Sequence, residues 1–76
     1  MDTKELKEKL LDCALLQECK VLKNRDSWIA KGKNPKDSKL FNYYVGGLMG
    51  MITMLEEVGM EKDAKQFDWI FENYGI

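Results

Sequence analysis

Histidine is missing from this sequence, and cysteine is scarce. None of the 76 residues is histidine, and the two cysteines are Cys13 and Cys19. Without an imidazole, the common acid–base pairs and nucleophilic triads cannot be built. On one helix the two thiols would lie about 9 Å apart along the axis, too far for a disulfide, and a zinc site needs two further soft ligands. We therefore expect no catalytic residue, metal or cofactor, and we interpret both cysteines as buried or half-buried packing residues.

The sequence also lacks a long hydrophobic run and a strong net charge of either sign. Its longest apolar stretch lies between Tyr43 and Leu55, whereas a membrane span needs about 20 residues. The N-terminus is polar and has no signal-peptide pattern. The net charge is -1, and nonspecific nucleic-acid binders are usually basic. We expect a cytoplasmic protein with no membrane contact and no small-molecule substrate, for which nucleic acid is a disfavoured partner.

Alternating runs of β-branched residues are absent as well, so the sequence predicts an all-α fold. Asp2 with Glu5 forms a capping-box pattern, and Asn34 followed by Pro35 is typical of a helix start. Three glycines are placed to end helices: Gly32, Gly59 and Gly75. A single domain over residues 1–76 is expected, with helix 1 at about 3–31, helix 2 at about 35–58 and helix 3 at about 61–74.

Both predicted connections are short, and short connections join antiparallel neighbours. The expected architecture is therefore an antiparallel three-helix arrangement, a long helical hairpin with a shorter third helix folded back. A chain of this size buries only about 60% of its unfolded surface. We expect dimerisation to complete the core.

Helix 2 carries the strongest indication of self-association, because it is apolar on every side. Each glycine inside a helix costs roughly 1 kcal/mol relative to alanine, so Gly46 and Gly50 need a reason. Small residues at this spacing allow the backbone of another helix to approach closely. Helices 1 and 3 can cover only two sides of helix 2, so the remaining side is expected to contact a second copy of the chain or another partner. We predict a homodimer whose self-association surface contains Gly46, Gly50, Thr53 and Met49.

Two further sets of residues break the expected apolar pattern. Glu18 and Arg25 fall within the apolar half of helix 1, where charges are costly unless paired. We interpret them as a polar pair, either within the fold or across an interface. In helix 3, ideal helical phase points Phe71 into the core and Trp69 away from it. Because tryptophan is enriched in binding hot spots, the predicted partner-binding set is Trp69 with Lys62, Lys65 and Glu72.

The segment from Met51 to Tyr74, with Gly59 and then Ala64 at its turn, resembles the helix–turn–helix of one tetratricopeptide repeat. Ile52 stands where that family has glycine, and one repeat cannot form a solenoid. The resemblance therefore implies hairpin geometry and not the family's function. In size and style the chain also resembles the small accessory proteins of bacterial phages and mobile elements.

The leading hypothesis from these observations is a noncatalytic protein-interaction module that binds and modulates another protein. The phage-like style would imply inhibition of a host defence complex. One alternative is a small nucleic-acid-binding regulator that uses the turn between helices 1 and 2, where four lysines are concentrated: Lys31, Lys33, Lys36 and Lys39. A second alternative is an accessory subunit of a larger assembly.

Overall fold

The computed structural model describes residues 2–74, and all regular secondary structure within that range is helical. Helix α1 spans Thr3–Ala30, α2 spans Lys39–Glu57, α3 spans Glu61–Ala64 and α4 spans Asp68–Tyr74. One-turn 3-10 helices at Pro35–Asp37 and Lys65–Phe67 precede α2 and join α3 to α4. The predicted all-α fold is confirmed, and the predicted stop at Gly75 lies outside the described residues.

The ends of α1 and the exit from α2 follow the local sequence closely. The Asp2 carboxylate accepts a hydrogen bond from the Glu5 backbone N–H at 2.8 Å, which satisfies one of the free amides of the first turn. Gly32 and Gly59 have φ angles of 74° and 84°. Glycine tolerates this left-handed conformation, which ends a helix. Both predicted glycine stops are confirmed.

The start of α2 differs from the prediction by four residues. Asn34 caps only the short 3-10 helix, where its side chain accepts from the Lys36 N–H at 3.0 Å. The cap of α2 is Ser38, whose hydroxyl accepts from the Phe41 N–H at 3.1 Å. Ser38 is buried, and its hydroxyl donates to the Asn24 side chain at 3.4 Å. Pro35 therefore begins a turn that leads into the helix.

The third predicted helix is interrupted by a 3-10 turn, which changes the angular position of the side chains that follow it. Ala64, Phe67 and Ile70 are all buried, and they are spaced by three, the period of the 3-10 turn that contains Phe67. A 3-10 helix turns each residue by about 120° instead of about 100°, so three residues add about 60°. Phe71, expected to face inward, is consequently 42% exposed.

The core lies along one side of α2, against α1 and the α3–α4 segment. Within residues 2–74 this core contains Ala14, Val21, Phe41, Val45, Leu48, Ile52, Leu55, Ala64, Phe67 and Ile70. Only two of these belong to α1, so the wide apolar half of that helix is incompletely covered. Cys13 and Cys19 are both exposed, which corrects the expectation that they pack inside the protein. The molecule measures 45 × 22 × 17 Å, and none of the described helices is long and apolar enough to cross a membrane.

Candidate interaction surface

One side of α2 faces solvent although α2 carries no charged residue between Leu40 and Leu55. Tyr43 is 74% exposed and Met54 is 53% exposed. Apart from its own helix backbone and chain neighbours, no atom of residues 2–74 lies within 4 Å of a Cβ added at Gly46 or Gly50, so the α2 backbone is exposed between Tyr43 and Met54. We call this side of α2 the open face. It is formed by eight exposed residues: Lys39, Asn42, Tyr43, Gly46, Gly50, Thr53, Met54 and Glu57.

The predicted self-association residues divide between this face and the core. Gly46, Gly50 and Thr53 lie on the open face, whereas Met49 is half-buried and packs against the core. The Thr53 hydroxyl donates to the Met49 carbonyl at 3.1 Å, so it has a partner within its own helix. Gly47 has a different environment, because a Cβ there would lie 2.8 Å from Gln17 Nε2.

A second exposed feature is a groove between the middle of α1 and the first half of α2. The Gln17 side-chain amide donates to the Tyr44 carbonyl at 3.1 Å and links the two helices. Lys20 Nζ lies 6.0 Å from the centroid of the Tyr44 ring, within range of a cation–π contact. We call this feature the basic groove. Its two adjoining depressions share Lys20 and Tyr44, and no carboxylate residue lines either one within the described part of the chain.

The basic groove belongs to the positively charged end of a polarised molecule. Residues 20–39 contain seven Lys or Arg and two Asp, a net charge of +5, whereas the rest of the chain has five Lys and eleven Asp or Glu, a net charge of -6. The four lysines predicted for nucleic-acid contact, Lys31, Lys33, Lys36 and Lys39, are all exposed. Lys33 Nζ lies 5.5 Å from the Trp28 ring centroid, and Lys36 Nζ lies 5.8 Å from that of Tyr74.

Trp69 does not point away from the protein. It is half-buried and packs against the core, and its indole N–H donates to Glu18 Oε2 at 2.8 Å. Its ring meets Tyr74 edge-on with centroids 6.4 Å apart. The expected outward direction of this side chain is therefore wrong, because the 3-10 turn rotates α4. A contact between Trp69 and a partner stays a prediction.

Glu18 and Arg25 meet through Trp69 and not through each other. Arg25 Cζ lies 5.8 Å from the Trp69 ring centroid, while its Nε pairs with Asp26 Oδ1 at 3.2 Å. Glu18 and Arg25 thus contact the same Trp69 indole, Glu18 at the N–H and Arg25 at the face of the ring. This corrects the expectation of a direct pair and explains how two charges are accommodated on the inner half of α1.

The other residues of the predicted partner-binding set lie on the surface. Lys62, Lys65 and Glu72 are exposed. Lys65 borders a shallow depression that it shares with Glu56, Glu61 and Asp68. Three carboxylates surround that lysine, so this depression is part of the acidic portion of the molecule.

Comparisons of this chain with protein-family models, with curated proteins and with solved structures found no match. The function is therefore inferred from the open face, the basic groove and the distribution of charge.

The basic groove could have been found from the sequence, but only in part. The concentration of positive charge in residues 20–39 is visible without coordinates. The contribution of Gln17 and Tyr44 is not visible in the sequence. These residues are separated by 27 positions, and their helix faces become neighbours only in the folded hairpin.

Proposed function

We propose that this protein is a noncatalytic interaction module that binds and modulates another protein, and that it acts as a homodimer. The observation that carries this proposal is the basic groove, which is lined by lysine and tyrosine side chains and, within residues 2–74, by no carboxylate. A surface of this kind is complementary to acidic side chains of a partner. Tyrosine is also enriched in binding hot spots because it offers a large rigid ring and a polar tip.

We further propose that the neighbouring helices α1 and α2 pack antiparallel, an arrangement that sets the two sides of the basic groove. Two contacts support this packing. At one end, Ser38 before α2 bonds to Asn24 near the end of α1. At the other end, Leu10 of α1 shares an apolar depression with Met54 and Val58. With both ends held, the groove is pre-formed, so binding would require little ordering of the chain.

A protein partner is favoured over a nucleic acid by the extent of the positive region. The net charge of +5 is confined to residues 20–39, and the remainder carries -6. An extended polyanion lying along the molecule would be repelled by that remainder, whereas a compact acidic surface can contact the basic end alone. The size and style of the chain make host defence complexes the first partners to assay for inhibition.

The test uses charge reversal in the groove with a matched control. Tagged wild type, Lys20→Glu/Lys23→Glu and Lys4→Glu/Lys9→Glu are used to recover partners from native-host extract treated with nuclease, and recovered proteins are identified by mass spectrometry. All four lysines are exposed, so folding is expected to be unchanged and is checked by circular dichroism. A partner that is recovered with wild type and with the Lys4/Lys9 variant, but lost with the groove variant, supports the proposal.

The purified pair then provides a quantitative measurement. We expect the groove variant to weaken the affinity at least about tenfold, since two favourable contacts become repulsive. The activity of the partner is measured with and without the chain to test modulation. Equal affinity for the two variants would refute the groove as the site. Recovery in fixed stoichiometry with a larger complex, without any change in activity, would indicate an accessory subunit.

A nucleic-acid-binding regulator is the second candidate, and one observation favours it. Lys33 and Lys36 lie over aromatic rings at the turn, and single strands are bound by combinations of basic and aromatic side chains. A gel shift with labelled single-stranded and double-stranded DNA and RNA tests this candidate. Tight binding that falls steeply as salt rises would support it. We expect no shift at physiological salt.

A further inference from the structure

We propose that the open faces of two copies pack against each other in an antiparallel arrangement, around a two-fold axis level with Leu48. This inference rests on the homodimer part of the proposed function and adds its surface, direction and register. Its basis is that the open face is complementary to itself when one copy is reversed.

The spacing of the residues places the open face along a straight strip of α2. At about 100° per residue, Lys39, Gly46, Gly50 and Glu57 fall within an arc of about 40°. Tyr43 and Met54 would then lie on one flank of this strip, and Asn42 and Thr53 on the other. The strip runs for about 27 Å, from a lysine at one end to a glutamate at the other, with bare glycine backbone in the middle.

Reversal of one copy matches every part of this strip with a suitable counterpart. Gly46 meets Gly50 of the second copy on both sides of the axis, which permits close approach of the two backbones. On one flank Tyr43 meets Met54 of the second copy, an aromatic–thioether contact. On the other flank Asn42 meets Thr53. The contact therefore covers the two most exposed apolar side chains of the strip, Tyr43 and Met54. Tyr43 also borders one of the two depressions of the basic groove, so the dimer leaves to a partner the other depression, where Lys20, Lys23 and Tyr44 lie outside the strip.

Charge decides the direction of packing. In the antiparallel arrangement Lys39 of each copy lies beside Glu57 of the other, which gives two opposite-charge pairs at the ends of the strip. A parallel arrangement would place lysine beside lysine and glutamate beside glutamate, and like charges disfavour it. The antiparallel pairing also brings the basic end of each chain toward the acidic remainder of the other.

The contact area is small, so the dimer is expected to be a weak one. A single pair of helices over this length buries less than the standard interface of about 1,600 Å². Such interfaces belong to the transient class, and we expect dissociation in the micromolar range. The oligomeric state therefore has to be measured at chain concentrations up to several hundred micromolar.

The experiment is a charge-swap series followed by sedimentation equilibrium of the purified chain. Lys39→Glu and Glu57→Lys are each expected to raise the dimer dissociation constant about tenfold, because two attractive pairs become repulsive. The double variant Lys39→Glu/Glu57→Lys restores opposite charges across the axis and is expected to return to within about threefold of wild type. Both residues are exposed at helix ends, so circular dichroism should show an unchanged fold.

Gly50→Leu provides an independent measurement, because a leucine at the centre of the strip would separate the backbones. We expect it to abolish the dimer over the same concentration range. A wild-type chain that stays monomeric throughout would overturn the inference, and so would single variants whose weakening the double variant does not reverse. Sedimentation needs no partner, whereas the groove test measures capture of one. A monomeric wild type would also refute the homodimer part of the proposed function, whereas the groove as the partner site is tested by capture alone.

Discussion

Replacement of Trp69 by phenylalanine tests the link between the third helix segment and α1. The change removes the indole N–H that donates to Glu18 at 2.8 Å and part of the ring beneath Arg25. A hydrogen bond to a charged group contributes about 1.5–3 kcal/mol when well buried. Both residues are half-buried, so about 1 kcal/mol is expected for the bond, with a similar loss from the smaller ring.

The assay is a double-mutant cycle of Trp69→Phe and Glu18→Ala. The unfolding free energy of each variant is measured in urea, with far-ultraviolet circular dichroism as the signal. A chain of 76 residues has a free energy of unfolding of about 4–11 kcal/mol, so each single variant should remain folded. We expect a coupling energy of about 1 kcal/mol between the two positions. Additive losses below about 0.5 kcal/mol each would refute the reasoning and would place the indole in solvent, free to contact a partner.

Three more predictions follow from local geometry. Gly46→Ala should raise the melting temperature at low micromolar concentration, because alanine favours helix and the described part of the chain leaves space for its Cβ. Gly47→Ala should raise the melting temperature less, because its Cβ would displace Gln17. Equal gains would contradict this contact. Ser38→Ala should lower the unfolding free energy by about 1 kcal/mol through loss of the α2 cap, and an unchanged value in urea unfolding would assign the helix start elsewhere. Cys13 and Cys19 should react with Ellman's reagent in the native protein at rates close to those of a denatured control, since both are exposed, and strong protection would place the thiols inside the fold.

The helix boundaries could be predicted wherever one side chain or one glycine determines them. Asp2 at the start of α1 and the glycines after α1 and α2 act within a few residues of themselves, so sequence spacing is sufficient. The start of α2 could not be chosen correctly by the same reasoning. Asn34 and Ser38 both have capping side chains, and the choice depends on burial of Ser38 against Asn24 of α1.

The orientations of Trp69 and Phe71 failed for a related reason. Their prediction assumed a regular helix from Glu61 onward, but the burial of Ala64, Phe67 and Ile70 at a spacing of three accompanies a 3-10 turn. The turn places Phe67 in the buried core, and local helix propensity does not predict such a tertiary contact. The candidate site shows the same limit, since the pairing of Gln17 with Tyr44 is a property of two packed helices.

The separation of charge described above also acts before any contact is made. A molecule 45 Å long with opposite net charge on two parts of its chain has a large dipole moment, and an approaching acidic surface exerts a torque that turns the basic end toward it. This orientation raises the rate of productive encounters, and mobile ions weaken it within a Debye length of about 8 Å at physiological ionic strength. Added salt should therefore slow association with an acidic partner far more than it hastens dissociation.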